Sequence, residues 1–149
     1  MIEVRLDDLA FAAVDAVVRP ADATLDPVTT AASRLDRQAG ARFAEQRRVR
    51  HALVPGAAVV TGAGELAAKF VVHAVIQSRD QPASADTVRR ALVSAWQRVA
   101  QWQLVTIAMP LIGAGAGQLS IDEAARLLRE TLDHPLRPPE FPASVVVMV

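Results

Sequence analysis

The sequence predicts an α/β fold in which a sheet is covered by helices on both faces. Two observations lead to this prediction. The inner strand segments are continuous apolar runs rather than apolar–polar alternations, which is typical of strands covered on both faces. The segment at residues 84–102 has the apolar periodicity of a surface helix that packs on such a sheet. No internal repeat or linker divides the chain, so we expect one domain over residues 1–149.

The predicted strands are short. Residues 2–6 alternate apolar and charged side chains, as a half-buried strand does. Residues 14–18 form an apolar segment that Arg19 and Pro20 are predicted to end. The remaining predicted strands are residues 57–60, 70–76, 105–112 and 144–149.

Three helices are predicted between these strands. Asp26 and Pro27 have the types favoured at an N-cap and at the first helical position, so a helix is expected from there to about Arg48, with Gly40 as a candidate interruption. The clearest helix is 84–102, whose apolar face consists of Val88, Leu92, Ala95, Trp96 and Val99. A third is expected at about 121–133. It is followed by an irregular segment, 134–142, that contains four prolines.

Composition excludes several functional classes. The 149 residues are 52% hydrophobic and carry 16 basic and 16 acidic side chains, so the formal net charge is zero. A nucleic-acid or membrane-surface binder would need a basic excess, so neither partner is expected. The absence of cysteine excludes disulfides and thiol chemistry. The N-terminal segment does not resemble a signal peptide, and a cytoplasmic location is the expectation.

A glycine-rich loop is the most informative local feature. The apolar segment 105–112 leads into Gly113, Gly115 and Gly117, and Ser120 with Glu123 then has capping-box spacing for a helix start. Glycines remove the Cβ atoms that would keep a phosphate at a distance, and a helix N-terminus attracts anions. A tight turn that binds nothing is the alternative. The spacing matches neither a P-loop nor a dinucleotide fingerprint.

Other chemistry finds little support in the sequence. His73 lies in an apolar strand and is predicted to be a hydrogen-bonded core residue, and no histidine pair has metal-ligand spacing. No serine lies in a nucleophile-elbow context. Trp96 and Trp102 are predicted to be core residues. A solvated helix face is the interpretation of the basic cluster formed by Arg42, Arg47, Arg48 and Arg50.

The order of these motifs resembles that of the macro domains, a family that binds ADP-ribose and related nucleotides. Residues 7–10 and 14–18 are similar to the family's first turn and second strand. Residues 60–75 look like its central strands, and residues 109–117 look like its second phosphate-binding loop. The resemblance covers about residues 2–149 and is strongest to a bacterial branch. It implies a three-layer domain with a mixed, mostly parallel sheet.

The resemblance also implies roles for individual residues. Asp8 matches an aspartate that accepts a hydrogen bond from the adenine amino group, and Leu9 matches the neighbour whose backbone meets the ring. Asp22 stands where the family has an asparagine at the distal ribose or catalytic water, which makes it a candidate catalytic base. The full set of implied ligand-binding residues is Asp8, Leu9, Asp22, Gly113, Ala114, Gly115, Ala116 and Gly117. No metal and no cofactor is implied.

Departures from the family pattern qualify this expectation. Residues 19–22 read Arg-Pro-Ala-Asp where the family has Asn-Ala-Ala-Asn, and Ala32 replaces a frequent aspartate. The family's first glycine loop becomes residues 27–30, Pro-Val-Thr-Thr. With a helix starting at Asp26, the ligand would be held from one side and bound weakly. A family helix that packs on the adenine would have to follow Val149, so that part of the pocket is expected to be missing or supplied from elsewhere.

Three functional hypotheses follow. The first is binding of ADP-ribose or a related nucleotide without efficient hydrolysis. The second is an enzyme that removes ADP-ribose or processes its derivatives, with water oriented by a substrate phosphate. The third is a macro-like fold that has lost its ligand and serves as a protein-interaction module. The sequence leaves the oligomeric state open.

Overall fold

The structure is a computed structural model that describes residues 1–114 and 119–149. Within these residues, six strands form one sheet in the order β1-β6-β5-β2-β4-β3. Neighbouring strands are parallel except at the β3 edge, where β3 runs antiparallel to β4. The strands are β1 (Ile2–Arg5), β2 (Ala16–Asp22), β3 (Ala58–Gly62), β4 (Phe70–Gln77), β5 (Thr106–Met109) and β6 (Ser144–Met148).

Helices cover both faces of this sheet, as the sequence predicted. They are α1 (Thr30–Ala39), α2 (Ala41–Gln46), α3 (Ala85–Gln101) and α4 (Ile121–Leu132), with a short 3₁₀ helix at Leu9–Phe11. Helices α3 and α4 pack on the face that presents Val18, Val72 and Ile107. Helix α1 packs on the opposite face, where Leu35 contacts the cluster of Val17 and Ala108. The described elements therefore form three layers, α/β/α.

Alternation along β2 decides which residues meet on each face. Val18 points toward α3 and α4, whereas Val17 and Arg19 belong to the α1 side. Arg19 lies beside His73 in the parallel register of β2 and β4. An arginine and a histidine thus lie side by side in the interior of the sheet, both with 0% exposure.

Two sequence predictions about the segment after β2 are wrong. Strand β2 continues through Arg19 and Pro20 to Asp22. A proline has no N–H to donate to a neighbouring strand and is therefore unfavourable between two paired strands. Pro20 is tolerated in β2 because it lies beyond the last residue that pairs with β5 and has only β4 as a paired neighbour. Residues 23–29 are not helical, and α1 begins at Thr30 with Thr29 as its N-cap, whose hydroxyl accepts a 3.0 Å hydrogen bond from Ala32 N–H.

The reason for the later helix start is tertiary. Pro27 makes an isolated antiparallel bridge to Ala21, and the Asp26 carboxylate binds Arg47 and Thr24 instead of capping a helix. The predicted break at Gly40 is confirmed: its φ of +89° ends α1 before α2 begins.

The two tryptophans differ in position. Trp96 is buried, and its indole N–H donates to the Thr131 hydroxyl at 3.0 Å. The prediction of a core position is wrong for Trp102, which is 50% exposed. Helix α3 ends at Gln101, so Trp102 lies past its last turn and covers the Phe70 ring at a centroid distance of 5.0 Å.

In the part of the chain that the structure describes, no helix combines the length and the apolar character needed to cross a bilayer.

Candidate functional site

The topology opens a crevice at the carboxyl ends of two adjacent strands. Strands β2 and β5 are neighbours and run parallel. The helix that follows β2 is α1, on one face of the sheet, and the helix that follows β5 is α4, on the other. Ligands of open α/β sheets bind where consecutive connections diverge to opposite faces in this way.

Two adjoining cavities form a groove there, which we call the sheet-edge groove. One has a volume of about 500 Å³ and the other about 280 Å³. They share four lining residues: Ala31, Pro110, Met148 and Val149. The larger cavity is also lined by Leu6, Asp7, Asp8, Leu9, Thr30 and Arg34, and the smaller one by Pro20, Thr29, Leu111, Gly113, Ala114 and Ile121.

At the larger cavity, Asp8 is held by two contacts. Its Oδ1 caps the short 3₁₀ helix by accepting a 3.0 Å hydrogen bond from Ala10 N–H. Its Oδ2 lies 3.2 Å from Nη2 of Arg34, which projects from α1. The neighbouring Leu9 side chain is buried against Val17 and Leu35. The carboxylate therefore has a defined position in the cavity wall.

At the smaller cavity, the N-terminal ends of two helices meet. Thr29 and Ala31 belong to the start of α1, and Ile121 is the first residue of α4. The first N–H groups of a helix have no intrahelical acceptor, and the helix dipole places partial positive charge beside them. Two such ends in one cavity make it suitable for an anion.

Gly113 is a glycine for a structural reason. Its φ is +101°, and a Cβ atom there would lie 2.7 Å from Leu119 Cδ1 and 3.3 Å from Val88 Cγ2. A side chain at this position would therefore strain the backbone and require the Leu119 side chain to shift. Gly115, Ala116 and Gly117 lie outside the described residues.

Asp22 lines neither cavity of the groove. Its Oδ1 accepts hydrogen bonds from Thr24 N–H at 2.9 Å, the Thr24 hydroxyl at 2.9 Å and Asp26 N–H at 3.0 Å. These bonds form an Asx-type turn that closes residues 22–26 into a tight loop. The carboxylate thus shapes the loop between β2 and α1.

A largely buried network of charged side chains holds that loop in place. Arg19 Nε lies 3.3 Å from Asp36 Oδ1, and Arg47 Nε lies 3.2 Å from Asp36 Oδ2. Arg47 Nη1 also bonds Asp26 Oδ1 at 2.9 Å. Both guanidinium groups donate to the carbonyl oxygen of Leu25, which has a φ of +64° and is 1% exposed. The network therefore fixes a loop residue in a conformation that costs energy for a non-glycine.

Burial shifts the pKa values in this network. Desolvation lowers the pKa of Arg19 to about 10, although Asp36 opposes the shift. Desolvation raises the pKa of Asp36, against the charges of Arg19 and Arg47. The pKa of His73 is well below its usual value because of burial, with smaller contributions from the same two arginines. His73 is therefore neutral at pH 7, and its Nε2 hydrogen-bonds the Thr61 hydroxyl at 2.8 Å, which confirms its predicted core role.

The prediction of a solvated basic helix face is wrong for Arg47. Its side chain is only 19% exposed and joins the buried network. The reason is that α2 ends at Gln46, so residues 47–50 are not on a helix and Arg47 can turn inward toward Asp36 and Asp26.

The structure brings some of the predicted site residues together. Asp8, Leu9, Gly113 and Ala114 line the groove, whereas Asp22 does not. Sequence reasoning missed Thr29, Ala31 and Arg34. Thr29 carries a signal, since threonine is a favoured N-cap, but the stronger Asp-Pro signal three residues earlier hid it. Among the residues that the structure describes, no three acidic or histidine side chains converge as a metal site requires.

Comparisons with known proteins agree with this architecture. A family model described as "Macro domain" matches residues 18–128. An uncharacterized protein of Aeropyrum pernix is 34% identical over 128 residues, which are 85% of this chain and 67% of that protein. An uncharacterized protein of Mycobacterium bovis is 25% identical over 127 residues, which are 85% of this chain and 36% of that protein. The chain thus spans about a third of the mycobacterial relative's length.

Solved structures share the fold. The Oceanobacillus iheyensis macrodomain, solved with ADP, superposes with a TM-score of 0.81 at 21% identity, covering 99% of this chain and 82% of that one. The macrodomain of Mycobacterium tuberculosis DarG gives a TM-score of 0.83 at 16% identity, covering 100% and 98%. The six-stranded mixed sheet with helices on both faces is the fold of these proteins, and the family match extends over most of the chain. This chain therefore belongs to the macro domain family.

Proposed function

We propose that this protein binds ADP-ribose or a related nucleotide diphosphate in the sheet-edge groove and does not hydrolyse it efficiently. The observation that carries the proposal is the composition of the groove along its length. A carboxylate, Asp8, lies at the larger cavity, and the N-termini of α1 and α4 lie at the smaller one. The carboxylate can accept a hydrogen bond from an exocyclic amine, and the helix N-termini can bind a diphosphate.

The chemistry of each end supports this orientation. Asp8 is an acceptor, and an adenine amino group is a donor that would meet it in the larger cavity. The backbone N–H groups of Thr30 and Ala31 begin α1 and have no intrahelical acceptors. The glycine-rich pattern of residues 113–117 predicts further backbone donors before α4; of these residues the structure describes Gly113 and Ala114, which line the smaller cavity. The expectation of a ligand held from one side and bound weakly depended on a helix that starts at Asp26. Because α1 starts at Thr30 and Thr29 lines the same cavity as Gly113, that structural reason does not apply.

The proposal is tested by calorimetric titration of the protein with ADP-ribose, with AMP and ribose 5-phosphate as partial ligands. We expect saturable 1:1 binding of ADP-ribose that is tighter than that of either fragment, since only the whole ligand occupies both cavities. No measurable binding at millimolar ADP-ribose would instead favour an interaction module that has lost its ligand.

Replacing Asp22 by asparagine is expected to raise the affinity for ADP-ribose only about twofold, because the carboxylate lines neither cavity and can repel the diphosphate only over a longer, screened distance. The amide oxygen can accept the same hydrogen bonds from Thr24 and Asp26, so the loop is kept while its negative charge is removed. Release of ADP-ribose from a modified acidic side chain is expected to stay undetectable in both proteins. Binding is measured by calorimetry and release by mass spectrometry.

The matched control is Asp133→Asn, which removes the same charge at an exposed position just past the C-terminal end of α4, the end of that helix away from the groove, and should leave the affinity unchanged. Robust hydrolysis by the unmodified protein that Asp22→Ala abolishes would contradict the proposal and make Asp22 a catalytic base.

A further inference from the structure

The larger cavity of the groove has an unusual lining for a base-binding site. Among its described lining residues none is aromatic, and most of its wall is aliphatic, from Leu6, Leu9, Pro110, Met148 and Val149. Proteins commonly hold a purine by stacking it on an aromatic ring or on the planar guanidinium of an arginine. In this lining, the one side chain with a planar cationic group is Arg34.

The position of Arg34 suits that role. It is four residues after Thr30 on α1, so it lies one turn from the helix end that would receive the diphosphate. Its Nη2 lies 3.2 Å from Asp8 Oδ2, which ties the guanidinium to the carboxylate that would read the amine. The side chain is still 62% exposed, so most of the group is open to a ligand.

We propose that Arg34 is the residue that covers the purine of the bound nucleotide and so determines the preference of this groove for a base-bearing diphosphate. The inference rests on the proposed function. The guanidinium would stack on the base while the Asp8 contact keeps it beside the edge that carries the amine.

The test compares ADP with ribose 5-diphosphate, which lacks the base, in NMR-detected titrations that reach millimolar dissociation constants. Arg34→Ala is expected to weaken ADP binding about tenfold, the order of one lost base stack. Binding of ribose 5-diphosphate should change less than twofold. Arg34→Lys keeps the charge but loses the plane, so it should be nearly as weak for ADP as Arg34→Ala.

The matched control is Arg37→Ala, which removes an exposed arginine of the same helix that lines no part of the groove and should bind ADP as the unmodified protein does. The inference is overturned if Arg34→Ala binds ADP unchanged, if Arg34→Lys restores full affinity, or if both ligands weaken equally. Failure of the unmodified protein to bind either ligand would refute the proposed function itself, and this inference with it.

Discussion

Replacing Arg19 by methionine is expected to lower the free energy of unfolding by about 3–5 kcal/mol, the cost of removing one partner from a buried ion pair. Methionine has a similar length and fills the space, so the loss would come mainly from electrostatics and hydrogen bonding. The Asp36 carboxylate would keep only Arg47 as a cationic partner. The carbonyl of Pro20 would lose the donor that Arg19 supplies. The quantity to measure is the urea midpoint together with its slope.

The matched control is Arg126→Ala, which breaks an exposed pair with Glu130 at 4.0 Å. Exposed pairs of this kind contribute at most a few tenths of a kcal/mol, so this variant should unfold at nearly the same urea concentration. The double variant Arg19→Met/Asp36→Leu should recover part of the loss, because it leaves no unpaired carboxylate on that side. Equal costs for Arg19→Met and Arg126→Ala would mean that the buried network does not stabilise the loop.

Replacing Ala31 by glutamate is expected to weaken ADP-ribose binding at least about 100-fold, or roughly 2.7 kcal/mol. Ala31 is exposed and lines both cavities, at the second position of α1. A carboxylate there would occupy the groove and repel the diphosphate. The same change should leave the fold intact, because an acidic side chain in the first turn of a helix is stabilising.

Ala31→Gln separates the effect of side-chain size from that of charge, since glutamine is nearly as large as glutamate and is uncharged. We expect Ala31→Gln to bind ADP-ribose at least about tenfold more tightly than Ala31→Glu at low ionic strength, with the gap narrowing as salt is added. Gln38→Glu, at the exposed far end of the same helix, adds the same charge and should leave binding unchanged. Calorimetry at two salt concentrations measures the ADP-ribose affinity of all three variants. Identical binding by the glutamate and glutamine variants at both would show that no anionic group of the ligand lies at this end of α1.

Much of the fold could be predicted because it follows from local periodicity. The face of α3 that carries Val88, Leu92, Trp96 and Val99 is buried as its spacing predicts. Ser84 and Ser120 are the N-caps of α3 and α4, the helix position at which serine is favoured. These signals depend on neighbours within one or two turns, so no knowledge of distant residues is needed to interpret them.

The loop between β2 and α1 shows where local reasoning fails. Asp26 and Pro27 have the types of a helix start, yet Asp26 binds Arg47, 21 residues further on, and Pro27 bridges to Ala21. Contacts between residues far apart in sequence outweigh a capping preference of about 1 kcal/mol. For the same reason, nothing local distinguishes Arg47 from the exposed arginines around it.

The sequence by itself determined the layered α/β class, the positions of most strands and helices, and the family, and it pointed to Asp8 and Gly113 as residues of the candidate site. These properties depend on apolar periodicity, capping residues and motif order, all of which are encoded along the chain. Only the tertiary structure decided that Arg19 is a buried ion-pair partner, that Asp22 closes its own loop, and that Thr29, Ala31 and Arg34 line the groove. The physical reason is that burial, charge pairing and the meeting of two helix ends arise from contacts between residues that are distant in sequence, and no local pattern specifies those contacts.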